Sequence, residues 1–349
     1  MQYTTLGKTD IAVSKMCVGA MSFGKPGSMH DWTLDYSDSE KVIRHALGLG
    51  VNFFDTANSY SEGTSEEYLG RALKENKIPR DQVVLASKVY FNPGRLSKAA
   101  IHREIEGSLR RLNTDYLDLY IIYRFDYETP IEETMEALND LVKAGKVRAI
   151  GASAMYGYQF YNMQQIAKEH GWAQFQTMEN HYNLLYREDE RELIPICNQM
   201  QVSLMPYSPL AAGHLSHKAW QANTLRSQTD RVARGKYDDS RLEDQEIVDR
   251  VSELAEKYGV SMSQIALAWQ WKKGVAAPII GSTKMNHLDE AAAALSIDLS
   301  PEDVNYLEEL YVPHKIVGAL DENPAEGTVL IDEKKIMILL GECTHAKRT

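Results

Sequence analysis

The segment "VNFFDTANSY", Val51–Tyr60, starts as an apolar run and turns polar at Asp55. A short apolar run that ends on a carboxylate reads as a buried strand whose last residue emerges into a different environment. Runs of the same kind recur along the chain: "KMCVGA", "VNFFD", "VVLASK", "YLDLYIIY", "VRAIGAS", "FQTMEN", "VSLMPY" and "AAPIIG". Between them lie helix-like segments, with Val42, Ile43, Ala46 and Leu47 on one stripe and Ile101, Ile105 and Leu109 on another. Their starts carry cap signals at Ser37, Thr64, Thr129 and Ser300, each followed three residues later by an acid, with proline next in line at Pro130 and Pro301. Strands alternating with amphipathic helices imply a parallel sheet, and eight such units predict a closed (β/α)8 TIM barrel. A doubly wound sheet would carry a G-x-G-x-x-G turn after its first strand, and "CVGAMSFGKPG" lacks that spacing. The barrel is expected over residues 1–318. Residues 211–245 form a polar insertion of the kind that serves as a lid. Residues 319–349 read as a poorly ordered tail.

The chain has 349 residues, 44% of them hydrophobic, with 49 acidic side chains against 38 basic ones, a formal charge of −11. This balance disfavours nucleic acid and anionic lipid as partners. No run reaches the roughly 20 apolar residues of a membrane span, and the N-terminal stretch lacks a signal-peptide pattern. Cys17, Cys197 and Cys343 have no metal-like spacing and suit a reducing compartment, so a cytoplasmic location is expected. Oligomeric state is not legible.

In a (β/α)8 barrel the strands' C-terminal ends form the active-site mouth, so polar strand ends carry meaning there. Successive ends read Asp55, Lys88, Tyr123, Ser153, Gln176 and Tyr207. Lys88 at the end of "VVLASK" needs a counter-ion, which Asp55 on the neighbouring strand supplies, and Tyr60 is a short loop away. An ammonium beside a phenol favours the phenolate, lowers the tyrosine pKa from about 10 and makes it a better proton donor.

Together "FFDTANSYSEG", "LASKVY", "YLDLYIIYRFD", "IGAS", "MENHYNLLYR", "PYSPLAAGHL" and "PIIGSTK" closely resemble the aldo-keto reductases, in particular a bacterial branch with sugar-phosphate-related and aryl-alcohol-dehydrogenase-like members. The resemblance implies an NADPH-dependent reductase of small carbonyl substrates, with Tyr60 as general acid, Lys88 lowering its pKa and Asp55 orienting Lys88. It further implies that Ser153 and Gln176 bind the nicotinamide carboxamide, that Tyr207 stacks on the nicotinamide, and that Ser208 and Leu210 to Gly213 form the pyrophosphate loop. Gly281, Ser282, Thr283 and Lys284 resemble the site of the adenosine 2′-phosphate, and Glu290 an adenine contact. His181 is expected to shape its loop, and Trp269 and Trp271 to pack. Trp32 reads as a substrate contact or a surface residue, Arg124 and Arg187 as anion binders or rim charges.

The chain departs from the family pattern where a catalytic histidine is usual: here the strand reads Ile121-Ile122-Tyr123, and Ala154 stands where many relatives carry a polar residue. Tyrosine retains a hydrogen-bonding hydroxyl but cannot act as an imidazole near neutrality. Three outcomes follow: retained carbonyl reduction with Tyr123 as hydrogen-bond donor, a shift to carbon–carbon double-bond reduction, or an NADPH-binding sensor with weak turnover.

Overall fold

Short, fully buried strands with a two-residue alternation of side chains build the centre of the molecule. In the computed structural model, which describes residues 1–220, 225–320, 328–331 and 334–337, the first two strands are β1 (Tyr3–Thr5) and β2 (Ala12–Ser14), an antiparallel hairpin not singled out from the sequence. Eight parallel strands follow: β3 (Cys17–Gly19), β4 (Phe53–Asp55), β5 (Val84–Val89), β6 (Leu117–Ile122), β7 (Val147–Ser153), β8 (Phe175–Glu179), β9 (Ser203–Leu204) and β10 (Ile279–Gly281). They pair in the order β10-β3-β4-β5-β6-β7-β8-β9. The Ala276 amide donates to Leu204 O (3.0 Å) and the Ile279 amide to Pro206 O (2.9 Å), so the last strand meets the seventh and the (β/α)8 barrel closes. Each of the eight expected runs supplies one of these strands.

Alternation sorts the side chains. Cys17, Phe53, Val84, Ala86, Leu119 and Ile121 fill the interior together with Leu6, Ile11 and Val13 of the hairpin, which plugs the N-terminal end. Val18, Phe54, Leu85, Tyr120 and Ile122 face outward into the layer shared with the helices. That layer is built by α1 (Tyr36–Gly48), α2 (Thr64–Glu75), α3 (Lys98–Leu112), α4 (Ile131–Lys143), α5 (Gly157–Glu169) and α6 (Leu193–Met200). Beyond β9 come α7 (Leu225–Thr229), α8 (Arg231–Tyr237), α9 (Arg241–Tyr258) and α10 (Met262–Lys272), and after β10 come α11 (Met285–Ala294) and α12 (Pro301–Glu308).

The polar insertion is therefore partly helical, holding α7, α8 and the start of α9, while residues 221–224 lie outside the described residues. It folds back on the barrel. The Arg226 guanidinium lies 4.6 Å from the centre of the Trp32 ring, in the first βα loop, and the Tyr237 hydroxyl reaches the His181 ring at 2.7 Å. In the stretch expected as a tail, Thr328–Ile331 and Lys334–Met337 pair antiparallel; residues 321–327, 332–333 and 338–349 lie outside the described residues. Among the described residues no helix is long and apolar enough to cross a membrane.

Gly70 shows how tightly the outer layer is packed. A Cβ at this position of α2 would sit 2.5 Å from the carbonyl oxygen of Leu112, at the end of α3. Alanine gains about 1 kcal/mol in helix propensity, but it meets backbone that cannot rotate away, and overpacking costs about 1–3 kcal/mol. Gly70→Ala is expected to lower the urea midpoint at unchanged m-value.

Candidate active site

At the C-terminal mouth the inward-facing ends of neighbouring strands converge. Lys88 (β5) is fully buried; its ammonium pairs closely with Asp55 (β4), donates to the Thr56 carbonyl at 3.0 Å and lies 3.5 Å from Glu179 Oε2 (β8). Tyr60 opens a tight turn, Tyr60–Gly63, in which Ser61 and Glu62 take left-handed φ of 47° and 58°. This turn brings the Tyr60 ring centre to 4.9 Å from Lys88 Nζ, while the Tyr123 ring, just past β6, is at 5.5 Å. The two rings meet edge to face, and their hydroxyls are 3.3 Å apart. The four residues expected to carry the chemistry are thus in one cluster.

Electrostatics add a correction. Burial alone would lower Lys88, but Asp55, Glu179 and Tyr123 more than offset it and hold the ammonium above its ordinary value. Burial raises Asp55 against the pull of Lys88. In this geometry the net shift at Tyr60 is upward: burial pushes it well above 10, with Tyr123, Asp55 and Glu179 adding to the rise. Tyr123 is also raised by burial, but it is the phenol on which Lys88 and the Tyr60 hydroxyl pull downward. Burial is thus the largest influence on both phenols, and the cation that lies beside both rings opposes it at Tyr123.

The expected nucleotide-binding residues separate into those at the mouth and one that is not. Ser153 ends β7, buried, with its hydroxyl donating to Glu179 O at 2.7 Å. Gln176 lies at the opposite end of the barrel. Its Oε1 accepts from the Lys8 amide (2.9 Å) and its Nε2 donates to Gln174 O, so it braces the N-terminal hairpin turn and cannot reach a ligand at the mouth. The physical reason is position along the strand: Gln176 is the second residue of β8, and the mouth falls at Glu179 and Asn180. Those two were missed. For Glu179 strand parity was the available signal, because it shares the inward face with Thr177; Asn180 follows the strand and carries no such signal.

Tyr207 stacks on His181 (ring centres 5.3 Å, 9°), which stacks in turn on Tyr186 (4.2 Å, 14°), and Lys236 Nζ from α8 lies 4.8 Å from the Tyr207 centre. His181 is thus a pillar of the loop, as expected, and burial pulls its pKa well down. Ser208 has a left-handed φ of 54°, and its carbonyl accepts from Asn183 Nδ2 at 2.9 Å. Leu210 O accepts from the Gly213 amide at 2.8 Å, and Ala211, Ala212 and Gly213 are left-handed in succession (47°, 55°, 110°). For the alanines this conformation costs about 1–2 kcal/mol each, the kind of strain that gathers at functional loops. Gly281 ends β10, Ser282 is buried with its hydroxyl donating to Lys284 O and accepting the Lys284 amide, and Thr283 and Lys284 are exposed immediately before α11. Glu290 accepts from the Ser261 hydroxyl at 3.1 Å.

These residues fit a nicotinamide dinucleotide. A flat ring suits stacking, a run of left-handed residues turns backbone N–H groups toward an anion, and a cation at a helix start suits a further phosphate. Asn180 Oδ1 is buried with no hydrogen-bond partner, beside Tyr207 and Ala154 in the same recess, and is an acceptor suited to a carboxamide N–H. Arg187 is held by Glu190 (2.7 Å) and Glu308 (3.0 Å), so it is a structural cation. The Arg124 guanidinium lies 4.9 Å from the Phe91 ring centre at the rim. Trp269 and Trp271 donate to Glu308 and to Lys15 O, consistent with packing, and Trp32 is buried under Arg226 rather than on the surface.

The model of the Aldo/keto reductase family matches residues 15–312. A versiconal hemiacetal acetate reductase of Aspergillus parasiticus is 41% identical over 343 residues, 90% of this chain and 98% of that protein. A putative aryl-alcohol dehydrogenase of Schizosaccharomyces pombe is 41% identical over 348 residues, 91% of this chain and 98% of that protein. The crystal structure of the thermostable aldo-keto reductase Tm1743 with the inhibitor epalrestat is similar at a TM-score of 0.73 and 28% identity, covering 89% of this chain and 100% of that one. The two sequence relatives are fungal, which corrects the expected bacterial branch while keeping its aryl-alcohol-dehydrogenase-like character.

Proposed function

The chain belongs to the aldo/keto reductase family of oxidoreductases, and on that premise we propose that it is an NADPH-dependent carbonyl reductase acting on aromatic aldehydes and ketones, with Tyr60 donating the proton. The observation that carries this reading is the fully buried Lys88–Asp55 pair set beside two phenols whose hydroxyls touch. A buried ammonium is costly without a partner, and beside its partner Asp55 this one has two phenol hydroxyls, 3.3 Å apart, that can donate a proton to an oxygen.

When bound, the reduced nicotinamide supplies the hydride that forms the new C–H bond. Tyr207, Ser153 and Asn180 would hold its ring and carboxamide, the 208–213 loop its pyrophosphate, and Ser282 to Lys284 its 2′-phosphate, with Glu290 toward the adenine. The Tyr60 O–H then protonates the carbonyl oxygen. Tyr123 accepts a hydrogen bond from Tyr60 or donates one to the substrate oxygen, and the Lys88 ammonium stabilises the negative charge that the phenol pair takes on. Phe91, about half exposed and with its ring centre 5.0 Å from that of Tyr123, extends the aromatic surface at the mouth. An aryl carbonyl is the substrate class that surface favours, in line with the similarity to a putative aryl-alcohol dehydrogenase.

The test is the loss of NADPH absorbance with a panel of aryl aldehydes, aryl ketones and activated alkenes, repeated with NADH. Faster turnover of aryl aldehydes with NADPH, with the alcohol as product, is the expected result. Saturated products from the alkenes alone would replace carbonyl reduction by double-bond reduction, and tight NADPH binding with no turnover would leave a sensor.

A further inference from the structure

Lys88 carries one positive charge and faces two buried carboxyl groups. Asp55 takes the close pair. Glu179 keeps Oε2 at 3.5 Å from the ammonium, and that oxygen has no hydrogen-bond partner. Glu179 is held there by its strand, since its carbonyl accepts from Ser153 Oγ at 2.7 Å and its Cα pairs in register with Ser153. Two ionised carboxylates around a single ammonium would leave a net negative charge in a buried site, and carboxyl groups sharing a site do not both ionise readily. The carboxylate in contact with the ammonium keeps its charge, and the more distant one takes the proton.

Building on the carbonyl-reductase reading, we propose that Glu179 is a positioning residue that works in its protonated form: it keeps the lysine cluster from becoming net negative, and its ionisation turns off proton donation by the phenol pair. Burial, and then the neighbouring Asp55, push the Glu179 carboxyl up to about 8 against the pull of Lys88. Once ionised it raises both Tyr60 and Tyr123, which makes each a poorer donor. The titratable groups facing it are Cys17 from β3, Asp55 from β4, Tyr60 from the turn after β4, Lys88 from β5 and Tyr123 after β6. Cys17 is itself driven well up by burial and so stays neutral in this range. Ser153 of β7, Met205 just after β9 and Ile279 of β10 do not titrate. Two other groups near the mouth titrate close to the same window: Lys236, pulled down to about 8 by burial, and Asp189, which burial pushes up to about 7 and which accepts from Asn180 Nδ2 at 2.9 Å.

Two measurements on the full chain test this. In the pH profile of kcat/KM for aldehyde reduction, the wild type is expected to fall about tenfold per pH unit above about 8. Glu179→Gln keeps the shape of the side chain and is expected to remove that alkaline limb, whatever its rate on the plateau, while Lys236→Met retains it. Infrared spectra of the protein alone are expected to contain a protonated-carboxyl C=O band at neutral pH that disappears on titration through about 8 and is missing from Glu179→Gln. An unchanged limb in Glu179→Gln, its loss in Lys236→Met instead, or a band unaffected by the substitution each overturns the proposal. Absence of turnover at every pH with the band present rejects the reductase reading, and the positioning role with it, while leaving the protonated carboxyl in place. A missing band in an active reductase rejects the proposal alone.

Discussion

Replacing Tyr60 by phenylalanine is expected to lower kcat/KM for carbonyl reduction by about 10²–10⁴, the usual contribution of a general acid, with NADPH affinity nearly unchanged. The substitution removes one oxygen from a ring packed against Lys88 and Tyr123 and leaves the ring's own contacts in place. Steady-state kinetics give the rate, and fluorescence titration with NADPH gives the affinity. The matching Tyr123→Phe variant decides how the two phenols divide the work. The lysine's downward pull is felt at Tyr123, and the hydroxyls are 3.3 Å apart, so removing the Tyr123 oxygen is expected to cost less than removing that of Tyr60 while still slowing the reaction. If Tyr60→Phe retains wild-type turnover and Tyr123→Phe does not, the proton comes from Tyr123 and the assignment made here is wrong.

Lys88→Met is expected to carry the largest stability cost, about 3–5 kcal/mol, because removing one member of a buried ion pair strands its partner. Asp55 then lacks its close cation, and Glu179 its neighbouring positive charge. Both carboxyl groups respond by holding protons. Their folded-state pKa values then lie above the unfolded ones, so the folded chain binds more protons than the unfolded chain and stability falls as pH rises through the folded values. Urea unfolding at pH 5 and pH 8 measures this: the variant's deficit is expected to be larger at pH 8. Adding Asp55→Leu to Lys88→Met is expected to recover part of the loss, since replacing a whole buried pair by apolar side chains is often close to neutral. A deficit in Lys88→Met that does not depend on pH would mean that the two carboxyl groups are not left uncompensated.

Local signals in the sequence were legible to different depths. The Ser300–Pro301 helix start is realised as read, with the Ser300 hydroxyl accepting from the Asp303 amide. The start read at Ser37 moved to Asp35, whose carboxylate accepts from the Asp38 amide. Thr64 does not cap α2; its hydroxyl donates to Ser61 O and closes the turn that carries Tyr60. Thr129 donates to Asp126, and Pro130 takes the cap position of α4. In each case the helix is there, and a hydrogen bond between residues three apart sets the turn at its start. The hairpin that plugs the barrel went unread because its strands, Tyr-Thr-Thr and Ala-Val-Ser, lack the apolar run that marks equally short strands such as β4.

The order of residues alone determined the alternation of buried strands and amphipathic helices, and with it the barrel and the convergence of Asp55, Lys88 and Tyr123 on one mouth. It could do so because a strand's two-residue period and the shared direction of parallel strands are local properties that repeat in every unit. Tertiary structure decided the rest: that Gln176 belongs to the far end of the barrel, that Glu179 and Asn180 occupy the mouth, and that burial raises both Tyr60 and Tyr123 beside the ammonium. Charge interactions and desolvation depend on distances and on the exclusion of water, and both arise only when strands far apart in the chain close around one another.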